Sequence, residues 1–324
     1  MSIKVIQPGL STTIQDGGRE GFYHLGIPPS GAMDQYAMKA ANLLVGNPEN
    51  TAVLECALLG PELEFDTDSL IAVTGAYMSP VLDGDTMPLN TSLAVKAGQK
   101  LSFSYPRKGA RAYLAIAGGL DLPDALGSLS TYVLGSLGGI EGRTLQAGDV
   151  LATGTPQQQA APDRTIPQTL LQPIDKEVTL RFVPGLYNHR ITTESMTQFC
   201  RDEWTVASEA DRIGYRFKNG DPLDFKSRVQ PFGAGSDPSN IVDACYPIGS
   251  IQVPAGKEPI VLLRDAVSGG GYAMIGTVIS TDLDRIGQMQ PNYKAKFEPV
   301  TVQQALEVRQ HAGRRLKKLR AYLG

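Results

Sequence analysis

Residues 7–47 read QPGLSTTIQDGGREGFYHLGIPPSGAMDQYAMKAANLLVGN. Glycines in the first part of this block permit backbone conformations that other residues avoid, and Asp16 and Arg19 place charged side chains among them. In the second part, apolar residues recur at the helical period, which predicts a helix over residues 34–45 that Ser30 or Asp34 can cap. The residue types alone fit a ligand site and an elaborate surface loop equally well.

Short runs of apolar and β-branched residues, separated by glycine-rich turns, recur through the rest of the chain. The predicted strands cover residues 2–6, 70–74, 93–95, 101–105 and 112–117 in the first half, and residues 178–183, 251–253, 260–263 and 273–279 in the second. Between the two sets the composition shifts to Gln, Pro, Ala and Thr without an apolar period, which is typical of a linker. We therefore expect a mainly β protein with an N-terminal domain at 1–155, a linker at 156–175 and a C-terminal domain at 176–324, which ends in a helix.

Composition excludes several classes of function. A net charge of −3 gives no basic footprint for nucleic acid, and the basic run 314–320 is what the end of a solvated surface helix favours. No run of about 18 apolar residues predicts a membrane span, and the first residues enter a strand pattern without a signal peptide, so the protein is expected to be cytoplasmic. The three cysteines are far apart and the three histidines pair with no other ligand, so neither a disulfide framework nor a metal site is expected.

Two short motifs resemble cofactor sites. Ala37-Met38-Lys39 is similar to a biotinylation tripeptide, but Lys39 falls within the predicted helix rather than at an exposed hairpin tip, so biotin is not expected on this chain. The glycine run at 269–271 could present backbone N–H groups to an anion or could form a simple tight turn. It is not a P-loop, because no Gly-Lys-Ser/Thr follows it.

The 7–47 block resembles the opening of the allophanate hydrolase subunit 2 family, also called the biotin-dependent carboxyltransferase-like family. The resemblance continues through ECALLGP (55–61), TGA (74–76), AGGL (117–120), GSLST (127–131), LRFVPG (180–185), SEADRIGYR (208–216), GSIQVP (249–254), GGY (270–272) and TVISTDL (277–283). The chain departs from the family pattern at Leu186, where a second proline is usual, and at 264–268, which leaves the acidic position of that loop uncertain.

The resemblance implies two cyclophilin-like β-barrel subdomains in tandem with a few helices, and a cleft between them. The resemblance also implies which residues form the site, at the positions that match the family's motifs. The catalytic candidates are Arg19, Asp211, Arg212 and Asp265. The substrate-binding candidates are Gln15, Asp16, Ser30, Asp34, Gln252, Gly270, Gly271 and Tyr272.

The family includes the C component of 5-oxoprolinase and the carboxyltransferase region of urea carboxylase. The resemblance therefore implies one component of an ATP-dependent lactam hydrolase that opens 5-oxoproline to glutamate. This component would be active only with the B component, a partner of the allophanate hydrolase subunit 1 type, and with the A component of 5-oxoprolinase. Mg-ATP would be shared with these partners or bound by one of them.

Two alternatives to the 5-oxoprolinase hypothesis stay open. One is a biotin-dependent carboxyltransferase, or allophanate hydrolase subunit 2, acting on a urea-like substrate. The other is a non-catalytic regulator that binds the subunit 1-type partner. In either enzyme, Arg19 and Arg212 would stabilise developing negative charge.

Overall fold

The computed structural model describes all 324 residues, which form twenty β-strands and four α-helices. Contacts group the chain into two units: residues 1–20, 30–174 and 313–324 form the first, and residues 21–29 and 175–312 form the second. The helices are α1 (Gln35–Leu44), α2 (Thr193–Arg201), α3 (Ser280–Gly287) and α4 (Val302–Leu323). None of them combines the length and the apolar character that crossing a bilayer requires.

The first unit is built on two antiparallel sheets that share one hydrophobic core. Its strands are β1 (Ser2–Gln7), β2 (Ser11–Gln15), β3 (Val53–Ala57), β4 (Glu62–Phe65), β5 (Ser69–Gly75), β6 (Pro80–Leu82), β7 (Asp85–Thr86), β8 (Ser92–Val95), β9 (Lys100–Phe103), β10 (Arg111–Ile116) and β11 (Val150–Ala152). The sheet orders are β11-β1-β4-β9-β6-β7 and β2-β3-β10-β5-β8. The strands of this unit therefore lie in two sheets around one core.

Strand β10 is buried along its whole length because both of its faces are covered. Leu114 and Ile116 face the core between the sheets, whereas Tyr113 and Ala115 face a second cluster with α1. Such a strand has a continuous apolar sequence, since alternate side chains point to opposite faces and both faces are dry.

Helix α1 packs on the second sheet through small side chains, including Ala37 and Ala41. The Asp34 carboxylate accepts a hydrogen bond from the Ala37 backbone N–H at 2.9 Å, which satisfies one of the free donors at the start of the helix. The predicted helix over 34–45 is confirmed, and of the two capping candidates it is Asp34 that caps it. Lys39 lies inside this helix as expected.

The predicted helix at the C-terminus is also confirmed, and it contributes to both units. Leu319 and Leu323 are buried in the cluster around α1, so residues 313–324 group with the first unit. The sequence instead placed this whole helix with the C-terminal domain, because hydrophobic periodicity reveals the apolar face of a helix but not what covers it.

The second unit contains a closed barrel of seven strands in the order β12-β19-β16-β17-β14-β13-β20. The strands of this unit are β12 (Glu177–Pro184), β13 (Trp204–Val206), β14 (Gly214–Lys218), β15 (Asn240–Cys245), β16 (Ser250–Gln252), β17 (Ile260–Leu262), β18 (Gly269–Tyr272), β19 (Met274–Val278) and β20 (Lys294–Pro299). Phe199 of α2 stacks on Phe297 with ring centroids 4.7 Å apart, and Phe182 meets Phe199 edge-on at 5.8 Å. Aromatic contacts of this kind fill the barrel and add to its stability beyond area burial.

The mainly β fold with few helices is confirmed, and two local predictions are wrong. The polar block contains a strand, β2, paired with β3. The glycine run at 269–271 is neither a turn nor an anion cradle, since it forms β18 and pairs with β15. In both segments, pairing with a distant strand determines the backbone conformation, and a local pattern does not show it.

Candidate functional site

Asp16 follows β2 and joins it to the loop that contains Ser128 and Ser130. Its side chain is buried, and its carboxylate accepts four hydrogen bonds. The donors are the backbone N–H groups of Gly18 (2.8 Å) and Leu129 (2.6 Å) and the hydroxyls of Ser128 (2.7 Å) and Ser130 (2.6 Å). These four hydrogen bonds use most of the acceptor sites of a carboxylate, so Asp16 fixes the conformation of the loop.

Arg19 lies against the same loop and is only 1% exposed. Its Nε donates to the Ala125 carbonyl at 3.4 Å, and its Nη2 donates to the Ser130 carbonyl. Gly138 has φ of +70°, and a Cβ there would lie 2.1 Å from the Ser130 carbonyl oxygen, so the loop can only close over the guanidinium with glycine at this position. The structure thus places this candidate cation in a dry, carbonyl-lined setting.

Gln15 and Ser30 complete this group, which we call the Asp16 cluster: residues 15–19, 30–31 and 125–131. The Gln15 amide donates to the Thr131 carbonyl at 3.0 Å, and its oxygen accepts from the Gly31 N–H at 3.1 Å. Ser30 is buried with φ of +54°, a left-handed conformation that serine adopts at a cost. The structure therefore brings the candidates Gln15, Asp16, Arg19 and Ser30 together in one buried cluster.

A second buried polar network, which the sequence analysis missed, lies under the start of α1. Glu55 accepts hydrogen bonds from the Met33 backbone N–H at 2.8 Å and from the Tyr113 hydroxyl at 3.0 Å. Arg111 lies 3.5 Å from Glu55, and the Tyr113 hydroxyl accepts from the Asp34 N–H at 2.8 Å. Burial, followed by the Glu55 charge, raises the pKa of Tyr113 well above its usual value, so the phenol stays neutral.

This network holds the backbone N–H of Asp34, while the Asp34 carboxylate caps α1. The signal that could have revealed it is a charged residue within an otherwise apolar strand: Glu55 in VLECA and Arg111 at the head of RAYLAI. A buried charge is stable only when it is paired and hydrogen-bonded, so each such residue predicts a partner.

In the second unit, Arg212 and Asp265 form a bidentate ion pair. Arg212 Nε lies 2.7 Å from one carboxylate oxygen and its Nη2 lies 3.1 Å from the other. The side chains are 14% and 7% exposed, and the Asp265 N–H donates to the Arg212 carbonyl at 3.0 Å. This doubly bonded arrangement fixes the plane of the guanidinium. Asp211 is exposed, and its carboxylate accepts from the N–H groups of its own turn.

Gln252, Gly270 and Tyr272 gather around Tyr246, which sequence reasoning did not select. The Tyr246 hydroxyl donates to the Tyr272 carbonyl and accepts from the Tyr272 N–H at 3.0 Å. A Cβ on Gly270 would lie 2.8 Å from the Tyr246 ring, so glycine there permits β18 to approach the ring. Burial raises the pKa of Tyr246, so it acts as a neutral donor and acceptor.

Gly271 lies beside Gly270 in β18, and its added Cβ would lie 3.5 Å from the Ile241 carbonyl oxygen, an ordinary contact. Tyr23 also joins this second group, since its hydroxyl donates to the Tyr246 carbonyl at 2.7 Å. The first unit therefore holds two sets of predicted residues, the Asp16 cluster and Asp34 in the Glu55 network. The second unit holds two more, the Arg212–Asp265 pair and the group around Tyr246.

The chain is thus a mainly β protein of two units, one of which contains a closed barrel. Buried arginines and carboxylates lie at its loop junctions. The family described as the carboxyltransferase domain, subdomain A and B, matches residues 25–299, and the chain belongs to this family.

Similar proteins point to two activities within that family. The chain is 35% identical to the C component of the Escherichia coli 5-oxoprolinase over 98% of this chain and 97% of that protein. It is 34% identical to the urea amidolyase of Saccharomyces cerevisiae, again over 98% of this chain but only 18% of that protein. The crystal structure of Kluyveromyces lactis urea carboxylase superposes with a TM-score of 0.92 and 34% identity, covering 98% of this chain and 29% of that one.

Proposed function

We propose that this chain is one component of an ATP-dependent 5-oxoprolinase, an enzyme that opens the lactam of 5-oxoproline to glutamate. The observation that carries the proposal is the extent of the match: 97% of the C component of the Escherichia coli 5-oxoprolinase aligns with this chain. The urea amidolyase match occupies only 18% of its relative, so most of that protein has no counterpart in the aligned region.

In the opening of a lactam, a fixed cation can stabilise the negative charge that develops. A lactam is resonance-stabilised, and negative charge develops on its carbonyl oxygen when the ring carbonyl is attacked. A preorganised cation near that oxygen lowers the barrier, and the loss of one such group commonly costs a factor of about 10² or more. In this proposal Arg212 is that cation, and Asp265 is a positioning residue that holds its guanidinium in one plane.

ATP would supply the activation of the lactam oxygen, and we assign its binding to a partner protein of the complex. Gly270 and Gly271 lie in a paired strand, so they form no cradle of successive N–H groups for phosphates. The partners in the proposal are the B component of 5-oxoprolinase, of the allophanate hydrolase subunit 1 type, and the A component. In this proposal biotin is not attached to this chain, and the position of Lys39 within α1 supports that assignment.

The test is reconstitution from purified proteins. This chain and the A and B components are mixed with 5-oxoproline and Mg-ATP, and glutamate and ADP are measured. The proposal expects equal amounts of both products from the complete mixture. If the three proteins form a complex that releases no glutamate, the chain is instead a regulator that binds the subunit 1-type partner.

A second candidate, a biotin-dependent carboxyltransferase acting on a urea-like substrate, is supported by the TM-score of 0.92 against Kluyveromyces lactis urea carboxylase. There Arg19 or Arg212 would hold the carboxylate or the ureido oxygen, because the guanidinium fork matches both. Carboxylation of urea that depends on bicarbonate and a biotin carrier protein would establish this alternative in place of the first.

A further inference from the structure

Arg190 is a buried arginine whose hydrogen bonds are incomplete. It ends the short helical turn Asn188–Arg190 in the second unit and is 6% exposed. Its Nη2 donates to the carbonyls of Pro238 and Asn240. Its Nε and Nη1 are also buried, and neither has a hydrogen-bond partner. Three of the five N–H bonds of the guanidinium therefore have no acceptor.

The surroundings of Arg190 are cationic rather than acidic. Arg228 donates to the same Asn240 carbonyl at 2.8 Å, and Lys226 donates to the His189 carbonyl at 2.9 Å. Burial, followed by the charge of Arg228, lowers the pKa of Arg190. The face of the Tyr187 ring lies 5.7 Å from its Cζ atom and gives only partial compensation.

A buried cation without a counter-ion is costly, and proteins retain one where a negative partner binds. We propose that the missing partner is an oxyanion, the carboxylate or phosphate group of a small molecule, bound between Arg190 and Arg228. The guanidinium group matches both anions in geometry and charge. Neither Arg212 nor Asp265 is among the contacts of Arg190, and the proposal does not depend on the 5-oxoprolinase activity.

The segment that carries Arg228 provides the route of entry. Residues 226–239 contain no helix or strand, and Val229 and Phe232 on it are 94% and 102% exposed. A segment that buries so little apolar surface opens at low cost. Opening uncovers the Arg190 nitrogens, and closing returns Arg228 to the anion as a second cation.

Anion binding to the purified full-length chain tests the site. Inorganic phosphate and 5-oxoproline are titrated separately, in a buffer without other oxyanions, by calorimetry and by thermal unfolding. At least one of them is expected to bind saturably and raise the unfolding temperature. Binding of 5-oxoproline alone identifies a carboxylate ligand, and binding of phosphate alone identifies a phosphoryl ligand.

Variants locate the binding. Arg190→Gln and Arg228→Gln are expected to weaken it at least tenfold, whereas Arg201→Gln, on the exposed end of α2, binds as the wild type does. Arg228 is exposed, so Arg228→Gln is expected to fold and can be measured even if Arg190→Gln does not fold. Failure of both anions to bind the wild type, or undiminished binding by the Arg190 and Arg228 variants that fold, overturns the proposal.

Discussion

At the scale of single residues, the charged side chains of the 7–47 block hold loops together through bonds to backbone and hydroxyl groups. The Asp16 carboxylate accepts from two backbone N–H groups and two serine hydroxyls, and Arg19 donates to two carbonyls of the same loop. Hydrogen bonds to charged groups are roughly twice as strong as neutral ones. The Asp16 cluster is therefore a rigid platform.

Replacing Asp16 by Asn tests that rigidity. The amide is the same size but has one acceptor oxygen, and its NH₂ faces donors, so we expect the free energy of unfolding to fall by about 3 kcal/mol. Urea denaturation followed by circular dichroism measures it. Asp121→Asn, at an exposed carboxylate, is the matched control and should change stability by less than about 0.5 kcal/mol. Equal effects of the two substitutions would contradict the role of Asp16.

The Arg212–Asp265 pair gives a prediction about activity that rests on the proposed function. Arg212→Gln in the reconstituted enzyme should lower kcat for glutamate release by about 100-fold or more, because the cation is lost. Asp265→Asn should cause a smaller loss, since the charge of Arg212 remains but its orientation is no longer fixed. Arg216→Gln, at a partly exposed arginine paired with Glu258, is the control and should leave kcat unchanged. Similar losses in all three variants would argue against a specific role for Arg212.

At the scale of elements, the last turns of α4 pack in the hydrophobic cluster around α1. Leu319 is fully buried in the cluster around α1, whereas Leu306, earlier on the same helix, is 44% exposed. Leu319→Ala should lower the free energy of unfolding by about 2–5 kcal/mol, and Leu306→Ala by less than about 1 kcal/mol. Denaturant titration of both variants checks this, and comparable losses would show that the end of the helix is not packed as described.

The ion pair between Arg320 of α4 and Glu49 makes part of the stability depend on pH. The hydrogen bond from Arg320 lowers the pKa of Glu49 below 4.5, so the stabilisation is present above that pH and is lost as the pH falls through the folded-state pKa. Arg320 is 53% exposed, so the pair contributes at most about 1 kcal/mol.

Wild type and Arg320→Gln can be compared by urea denaturation across this range. The difference in their free energies of unfolding should be largest near neutral pH and shrink below pH 4.5. Lys317→Gln on the same helix should show no such dependence, and a difference for Arg320→Gln that stays constant with pH would contradict the account.

Local patterns predicted elements well where the cause is local. Asp34 caps α1 within a residue of the predicted start, because a cap bonds to residues three positions along the chain. They failed at β18, because glycine has no preference for a strand and only pairing with β15 extends it. They also missed Glu55, Arg111 and Tyr113, whose contacts join strands far apart in sequence.

The candidate site residues divide in the same way. Gln15, Asp16, Arg19 and Ser30 were selected from one block, and the structure joins them through the loop at 125–131. Asp265, whose position was uncertain in the sequence, pairs with Arg212. Tyr246 was missed because the Tyr272 backbone that it bonds lies in a strand that the sequence predicted as a turn.

At the scale of the whole molecule, two β-rich units place the chain in the carboxyltransferase domain family, and two activities are named among its relatives. Both must stabilise charge on a carbonyl or carboxylate oxygen next to nitrogen, so one arginine could serve either. The requirements for co-substrates separate them: ATP and 5-oxoproline in one case, bicarbonate and carboxybiotin in the other.

An omission assay on the reconstituted enzyme tests the proposed 5-oxoprolinase function most directly. Glutamate release from 5-oxoproline is measured with Mg-ATP and the A and B components of 5-oxoprolinase, with and without this chain. We expect release only when this chain is present, without any requirement for bicarbonate or a biotin carrier. Release that is unchanged when this chain is omitted, or that requires the biotin carrier, would contradict the proposed function.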